Sequence, residues 1–263
     1  MRRGLGTVKS LGMRVLPFLL FLLVWQGLVT IFQIKVFILP SPVRTFSHLL
    51  VPEMAAKYRW PIHIRATFIE ISLSFLVTAA AGILIAILIS WSELLKTLIT
   101  PIIVFFNSLP KIALAPLFLL WFGYGLVPNI LIAVLVAFFP VVINTSTGLE
   151  AVDEDLLDLV RYLHASKLQL YLKIRIPNSL PYIFSGFKIS ATLCVVGAIV
   201  GEFIASDKGL GYLLKDAQAF IDTPTMFACL VLISIMGLLF FAAIAGLQRL
   251  VMPWDGAENG GRE

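Results

Sequence analysis

The sequence has few charges and no long polar segment. Asp, Glu, Lys and Arg make up 13% of the 263 residues, whereas 59% of the residues are hydrophobic. A soluble domain usually contains about 25% charged and about 45–50% apolar residues. The composition therefore excludes a large soluble domain and indicates an all-α membrane protein.

Motifs for catalysis and metal binding are also missing. The two cysteines, Cys194 and Cys229, lie in apolar blocks, and there is no Cys-x-x-Cys or Cys/His cluster. We therefore expect buried thiols and no metal site. Without a Gly-x-x-x-x-Gly-Lys-Ser/Thr loop or a Ser/His/Asp constellation, we expect no catalytic residue. The net charge of +5 comes without a basic run interleaved with aromatics, which argues against a nucleic-acid partner.

Six apolar blocks are each long enough to cross a bilayer, which takes about 20 residues. They cover roughly residues 13–33, 66–91, 99–122, 127–147, 179–204 and 224–248. Basic residues precede the first block, but no small-residue cleavage site follows it, so we interpret it as an uncleaved membrane helix. Kinked helices are predicted in the third and fourth blocks from five prolines: Pro101, Pro110, Pro116, Pro128 and Pro140.

Loop charges set the predicted orientation. Six helices place both termini on one side, and the loops of that side carry more Lys and Arg, which favours cytoplasmic termini. We divide the chain into a tail, first helix and external segment (1–63), a membrane core (64–248) and a cytoplasmic tail (249–263). A short surface helix is predicted over 43–50, and disorder is predicted over 255–263.

The loop between the fourth and fifth blocks is charged and amphipathic. Asp153 can cap a helix with an acidic start and a basic end, which suits the helix dipole. Apolar residues recur at helical spacing at Leu156, Leu159, Val160 and Leu163. A second helical piece follows a joint near Ala165 and Ser166, and we expect it to stop at Pro177. The apolar face either packs on the protein's own membrane base and the lipid headgroups, or docks into a groove of another protein.

This loop resembles the EAA loop of ABC importer permeases, which reads Glu-Ala-Ala, three residues, Gly, nine residues, then Ile-x-Leu-Pro. The matching positions of this sequence are Asp158, Leu159, Val160, His164, Ile174, Ile176 and Pro177. The spacing agrees, and the largest departure is His164 in place of glycine. Segments 39–42, 108–125, 180–190 and 201–214 are similar to the nitrate/sulfonate/taurine branch of these permeases.

The resemblance implies about six transmembrane helices, with a cytoplasmic two-helix coupling loop between helices 4 and 5. It implies a permease homodimer in the bacterial inner membrane, two ATP-binding cassette subunits that use ATP and Mg, and an extracytoplasmic solute-binding protein. The chain itself would bind no cofactor. The solute would be a nitrate-, sulfonate- or taurine-like anion, or a heterocyclic vitamin precursor. The ATPase-coupling residues would be Asp158, Leu159, Val160, Leu163, His164, Ala165, Ile174, Ile176 and Pro177.

Polar residues inside the apolar blocks are candidates for a translocation path, because charges are costly in a bilayer. These are Asn107, Ser108, Lys111 and Glu202. Lys111 can attract an anion, support a gate or act as a structural counter-charge, and Glu202 can serve the path or accept a structural hydrogen bond. Glu70 is expected near a helix end, where it would reach the interface or pair with a cation.

Two other functional classes make different demands on the sequence. A stand-alone channel or secondary transporter would move solute without an ATPase, and it usually has repeat symmetry or ion sites at mid-membrane. An intramembrane enzyme would need paired nucleophiles, carboxylates or metal ligands at membrane depth. None of these patterns is evident in the sequence.

Overall fold

The computed structural model describes the backbone of residues 2–254 and the side chains of residues 16–54 and 56–254. Every regular element in this part of the chain is helical, and the predicted disordered tail, 255–263, lies outside it. The helices are α1 (Arg2–Ile31), α2 (Pro42–Leu50), α3 (Pro52–Tyr58), α4 (Trp60–Trp91), α5 (Glu93–Ser108), α6 (Ala115–Phe122), α7 (Leu126–Glu150), α8 (Glu154–Tyr162), α9 (Lys167–Leu170), α10 (Ile176–Ala205), α11 (Leu210–Ala219) and α12 (Thr223–Val251). A 3₁₀ turn, Lys111–Leu114, precedes α6, and a π-turn, Tyr171–Arg175, joins α9 to α10.

Four helices within the described residues are long and apolar enough to cross a membrane. They are α4, α7, α12 and the continuous helix Lys167–Ala205, which includes α9, the π-turn and α10. The bent pair of α5 and Lys111–Phe122 makes a fifth if it is one span. The apolar part of α1 with described side chains is Leu16–Ile31, so the span expected for the first block stays a prediction.

The predicted break in the third block lies at Pro110. The chain turns by 84° between α5 and the helical segment that starts at Lys111. Leu109 has extended backbone angles (φ −67°, ψ 143°), as expected for a residue whose successor is proline. The other four prolines do not break helices: Pro101 and Pro140 lie inside α5 and α7, and Pro116 and Pro128 lie near the starts of α6 and α7.

The expectation that the second piece of the charged loop stops at Pro177 is wrong. The helix runs through this residue from Lys167 to Ala205. Proline lacks the N–H that would bond to Lys173 four residues earlier, and it crowds that carbonyl. The wider π-turn Tyr171–Arg175 contains Lys173 and ends with only Ile176 between it and Pro177, so the irregular hydrogen bonding lies where the proline needs it and the helix continues.

The centre of the bundle is the pair α7 and α10, with α4 packed against both. Small residues permit this approach, as is usual between membrane helices. A Cβ on Gly197 would overlap the backbone of Ala133, and one on Gly186 would lie 3.0 Å from the carbonyl oxygen of Pro140. The core therefore excludes even a methyl group along this seam.

At the end of the bundle opposite α8, Asp222 fastens α3 to the start of α12. The Tyr58 hydroxyl donates to Asp222 Oδ2 at 2.5 Å, and the Thr225 hydroxyl donates to the same oxygen at 2.7 Å. Partial burial raises the pKa of Asp222, but the hydrogen bonds from Tyr58 and Thr225 outweigh it and hold the pKa below its ordinary value. The predicted surface helix over 43–50 is present as α2.

Candidate functional site

The first helix of the charged loop, α8, has the predicted cap and charge order. Asp153 Oδ1 accepts a hydrogen bond from the backbone N–H of Asp155 at 2.9 Å. Glu154 and Asp155 lie in the first turn and Arg161 in the last, so all three charges are favourable to the helix dipole. Asp158 pairs with Arg161 at 2.8 Å on the exposed side. The sequence thus makes α8 a self-supporting short helix.

The apolar face of α8 is divided between the protein and solvent. Val160 is buried with 8% exposure, so it anchors α8 to the rest of the chain. In contrast, Leu156, Leu159 and Leu163 are 40%, 53% and 67% exposed. Two leucines of α8 and the leucine that caps its C-terminus form an apolar patch that the described part of this chain leaves uncovered. We call these three residues the α8 patch.

The turn after α8 contains His164, which stands where the EAA loop of ABC importer permeases has glycine. His164 has φ of +53°, the left-handed conformation that glycine adopts most easily. Its N–H donates to the carbonyl of Arg161 at 3.0 Å, and its Nδ1 lies 3.0 Å from the carbonyl oxygen of Tyr162. The tight turn is therefore formed without glycine, with a local side-chain contact in its support.

Replacing His164 by glycine is expected to stabilise the turn. A non-glycine residue in the left-handed region costs about 1–2 kcal/mol, and part of this gain is offset by the flexibility of glycine and the lost Nδ1 contact. We expect a net gain of about 0.5–1 kcal/mol, seen as a higher melting temperature of the purified protein. Arg161→Gly, in a helical conformation, should instead destabilise by about 1 kcal/mol. A lower melting temperature for His164→Gly would contradict this account.

The second helix of the loop starts at a capping box. The Ser166 side chain accepts from the Gln169 N–H at 3.3 Å, and Gln169 Oε1 accepts from the Ser166 N–H at 2.8 Å. The predicted joint near Ala165 and Ser166 is thus confirmed. Of the other predicted loop residues, Ile174 and Ile176 are half-buried, while Pro177 is exposed.

Three anchoring residues at the base of the loop were missed from the sequence. Tyr171 is buried, and its hydroxyl bonds to Ser90 at the end of α4. Arg175 donates to Ser90 Oγ at 3.3 Å and lies 5.0 Å from the centroid of the Tyr171 ring. The Lys167 ammonium lies 4.8 Å from the centroid of the Trp91 ring and donates to the Trp91 carbonyl. The spacing of four residues between Tyr171 and Arg175 was the available signal, but their partner on α4 is remote in sequence.

Three of the candidate path residues meet at the 84° bend. Lys111 Nζ donates to Asn107 Oδ1 at 2.8 Å and lies 4.5 Å from the centroid of the Phe139 ring. Ser108 donates to the carbonyl of Val104 and ends α5. Lys111 has no acidic partner within 4 Å among the described residues.

The fourth candidate, Glu202, belongs to a different cluster. It is fully buried near the end of α10 and accepts from the Gly211 N–H at 2.6 Å. Glu70 lies in the same region with 2% exposure, so the expectation of an interfacial Glu70 near a helix end is wrong. The reason is that α4 begins at Trp60, before the apolar block, which carries Glu70 into the packed bundle.

A cavity of about 640 Å³ opens beside this cluster, between the first turns of α4, the start of α7 and the α10–α11 connection. Its wall includes Arg65, Glu70, Tyr124, Asp207 and Lys208. Because α7 runs from this cavity to the charged loop, the cavity and α8 lie at opposite ends of the bundle.

The described residues contain no candidate metal site and no exposed thiol. No group of three or more His, Cys, Asp or Glu side chains is placed to hold a metal ion there. Cys194 and Cys229 are buried free thiols in separate helices.

Residues 78–254 match the model of the family described as binding-protein-dependent transport system inner membrane component. The chain belongs to this family. Relatives of this permease include the formylaminopyrimidine transport permease protein ThiX of Halalkalibacterium halodurans, 32% identical over 90% of this chain and 93% of the relative. Another is the putative aliphatic sulfonates transport permease protein SsuC of Bacillus subtilis, 31% identical over 98% of this chain and 92% of the relative.

The solved structures agree on the fold. An inward-facing MetNI methionine ABC transporter superposes with a TM-score of 0.60 at 20% identity, covering 76% of this permease and 99% of that chain. The chain is therefore a multi-pass permease subunit of an ABC importer, as the loop resemblance indicates. Members of this group are transport subunits rather than enzymes, which agrees with the lack of catalytic motifs.

Proposed function

We propose that this permease forms a dimeric translocation path and docks one ATPase subunit on the α8 patch of each copy. The observation that carries the proposal is the exposure of Leu156, Leu159 and Leu163 on a short, capped helix at one end of the bundle. Burying such leucines contributes about 1.5–3 kcal/mol each, and a groove on a partner protein is the usual way to cover a helix of this length.

Energy for transport comes from the partner in this proposal. The permease lacks a phosphate-binding loop, so ATP and Mg are bound by the two ATP-binding cassette subunits. Movement of these subunits would displace α8, and with it the helices that α8 joins. This is a rigid-body transition of packed helices. The termini and α8 would lie in the cytoplasm, in agreement with the charge bias of the loops.

The proposed solute is a small anion or a heterocyclic vitamin precursor, delivered by an extracytoplasmic binding protein. Support comes from relatives whose names specify aliphatic sulfonates, taurine, formylaminopyrimidine and riboflavin. Lys111 also favours an anion, because it is a cation without an acidic partner among the described side chains, at the bend of a membrane segment.

The test is uptake into proteoliposomes that contain the permease and its cognate ATPase subunit, with the binding protein and labelled solute outside. The first panel contains four solutes: taurine, formylaminopyrimidine, riboflavin and one alkanesulfonate without an amino group. We expect accumulation of one solute that requires both hydrolysable ATP and the binding protein. Equilibration of solute by the permease alone, without ATP, would instead establish the stand-alone channel or transporter.

A further inference from the structure

Two carboxyl groups are buried side by side near the end of the bundle opposite α8. Glu70 on α4 is 2% exposed and Glu202 on α10 is 0% exposed. Gly201, the residue before Glu202, lies so close to Asn129 that a Cβ on it would be 2.9 Å from Asn129 Oδ1. Asn129 on α7, also fully buried, donates from Nδ2 to Glu70 Oε1 at 3.1 Å. Three helices of the core thus meet at this pair.

The surroundings of Glu202 favour a negative charge on this residue. At the start of α11, three consecutive backbone N–H groups point to side chains: Gly209 to His63 Nδ1 at 3.1 Å, Leu210 to Thr67 Oγ1 at 2.8 Å and Gly211 to Glu202 Oε2 at 2.6 Å. The first N–H groups of a helix have no partner within the helix, and the positive end of its dipole stabilises an anion. Gly209 has φ of +111°, and a Cβ there would overlap the Glu202 carboxylate, so α11 lies directly against the acid.

The remaining atoms of the cluster are acceptors without donors. Glu70 Oε2, Glu202 Oε1 and Asn129 Oδ1 are buried, and none has a hydrogen-bond partner among the described residues. The ion pairs of those residues are Lys96–Glu150 and Asp158–Arg161, so neither glutamate has a cation within 4 Å. Two uncompensated carboxylates in one buried site would each lose hydration and also repel one another.

We propose that Glu70 and Glu202 share one bound proton, which is carried on Glu70 Oε2 and donated to Glu202 Oε1. One proton supplies a partner to both orphan oxygens, because a protonated carboxyl is a donor and a carboxylate an acceptor. Glu70 then keeps Oε1 as a carbonyl that accepts from Asn129, and Glu202 keeps the negative charge at the start of α11. The short, charge-assisted bond ties α4 to α10 at the wall of the cavity.

Other charged or titratable groups around the pair leave this balance unchanged. Arg65 and Lys208, the cations on the cavity wall beside Glu70, are both exposed, and neither lies within 4 Å of an acidic oxygen among the described residues. The thiol of Cys229 on α12 is within the field of Glu202 and carries no compensating charge. His63 Nδ1 on α4 lies 3.1 Å from the Gly209 nitrogen and 3.0 Å from the Gly209 carbonyl oxygen, so this nitrogen is engaged by the start of α11 rather than by either glutamate.

The proton is detected by infrared spectroscopy of the full-length permease in lipid bilayers at neutral pH. A protonated carboxylic acid has a C=O stretching band, separate from those of carboxylates, that shifts in D₂O. We expect this band in the unmodified protein and its loss in Glu70→Gln, whose amide replaces the donor. In Glu202→Gln the band should persist but shift, because the acceptor becomes an amide oxygen. Glu53→Gln, at an exposed position on α3, is the control and should leave the band unchanged.

Any of four results would overturn the proposal. The first is absence of the band from the unmodified protein, which would mean that water or a metal cation occupies the site. The second is a band that Glu70→Gln leaves unchanged, which would assign it to another residue. The third is loss of the band in Glu202→Gln, which would place the proton on Glu202. Should Glu70→Gln fail to fold, the comparison of the unmodified protein with Glu202→Gln still decides, since an unshifted band refutes the pair.

Discussion

A Leu159→Asp permease is expected to lose its ATPase subunit during purification and to lose ATP-driven uptake. Leu159 is half-exposed at the centre of the α8 patch, so the substitution leaves the fold of the permease intact. A docked leucine contributes about 2 kcal/mol, and a carboxylate in an apolar groove costs several more through lost hydration. A total above about 4 kcal/mol corresponds to at least a 1,000-fold weaker complex. The measurement is the amount of ATPase that co-purifies with tagged permease.

Leu50→Asp is the matched control. Leu50 is 77% exposed at the end of α2, in the connection between α1 and α4 on the side opposite α8. The same change of chemistry there should leave co-purification unchanged. If Leu159→Asp retained both the ATPase subunit and coupled uptake, the α8 patch would not be the docking surface, although membership of the permease family would stand.

Gly197→Val should prevent the permease from folding. A Cβ at this position would lie within 3.1 Å of the Ala133 Cβ and still closer to the Ala133 backbone, which cannot withdraw as a flexible side chain could. Overpacking a core costs about 1–3 kcal/mol, and here the seam between α7 and α10 must open along its length. We expect little folded protein in the membrane fraction, as measured by size-exclusion chromatography after mild detergent extraction.

Gly246→Val tests whether this effect is specific to the seam. Gly246 also lies in a membrane helix, α12, but a Cβ there would meet no atom within 4 Å. We expect a normal yield and a single symmetric peak. Equal losses for both variants would show that valine is harmful for a reason other than contact between α7 and α10.

The local structure of the charged loop could be predicted because its signals are close together in the sequence. Asp153, the order of acidic and basic residues and the spacing of the leucines all act within a few residues of each other. They predicted α8 with its cap and the joint at Ser166. The left-handed conformation of His164 was harder to predict, since only the position of glycine in related loops marks it.

Distances across the bundle could not be predicted from the same information. Glu70 and Asn129 are 59 residues apart, and whether a glutamate meets lipid or a buried amide depends on how α4 packs against α7. The same holds for the bond between Tyr171 and Ser90, which joins the loop to the end of α4. The expectation that the helix stops at Pro177 was wrong for a related reason. The π-turn that accommodates this proline is not marked by any residue type.

The continuous helix from Lys167 to Ala205 links the charged loop to the opposite end of the bundle. It contains 39 residues, which at about 1.5 Å per residue gives a length of about 58 Å. One end carries the second half of the charged loop, and the other ends three residues after Glu202. In the proposed coupling, a displacement of the loop would therefore be carried to the far cavity along a single helix. The π-turn and Pro181 both interrupt the regular hydrogen bonding of this helix, so bending at these two places would reduce the displacement that reaches the cavity.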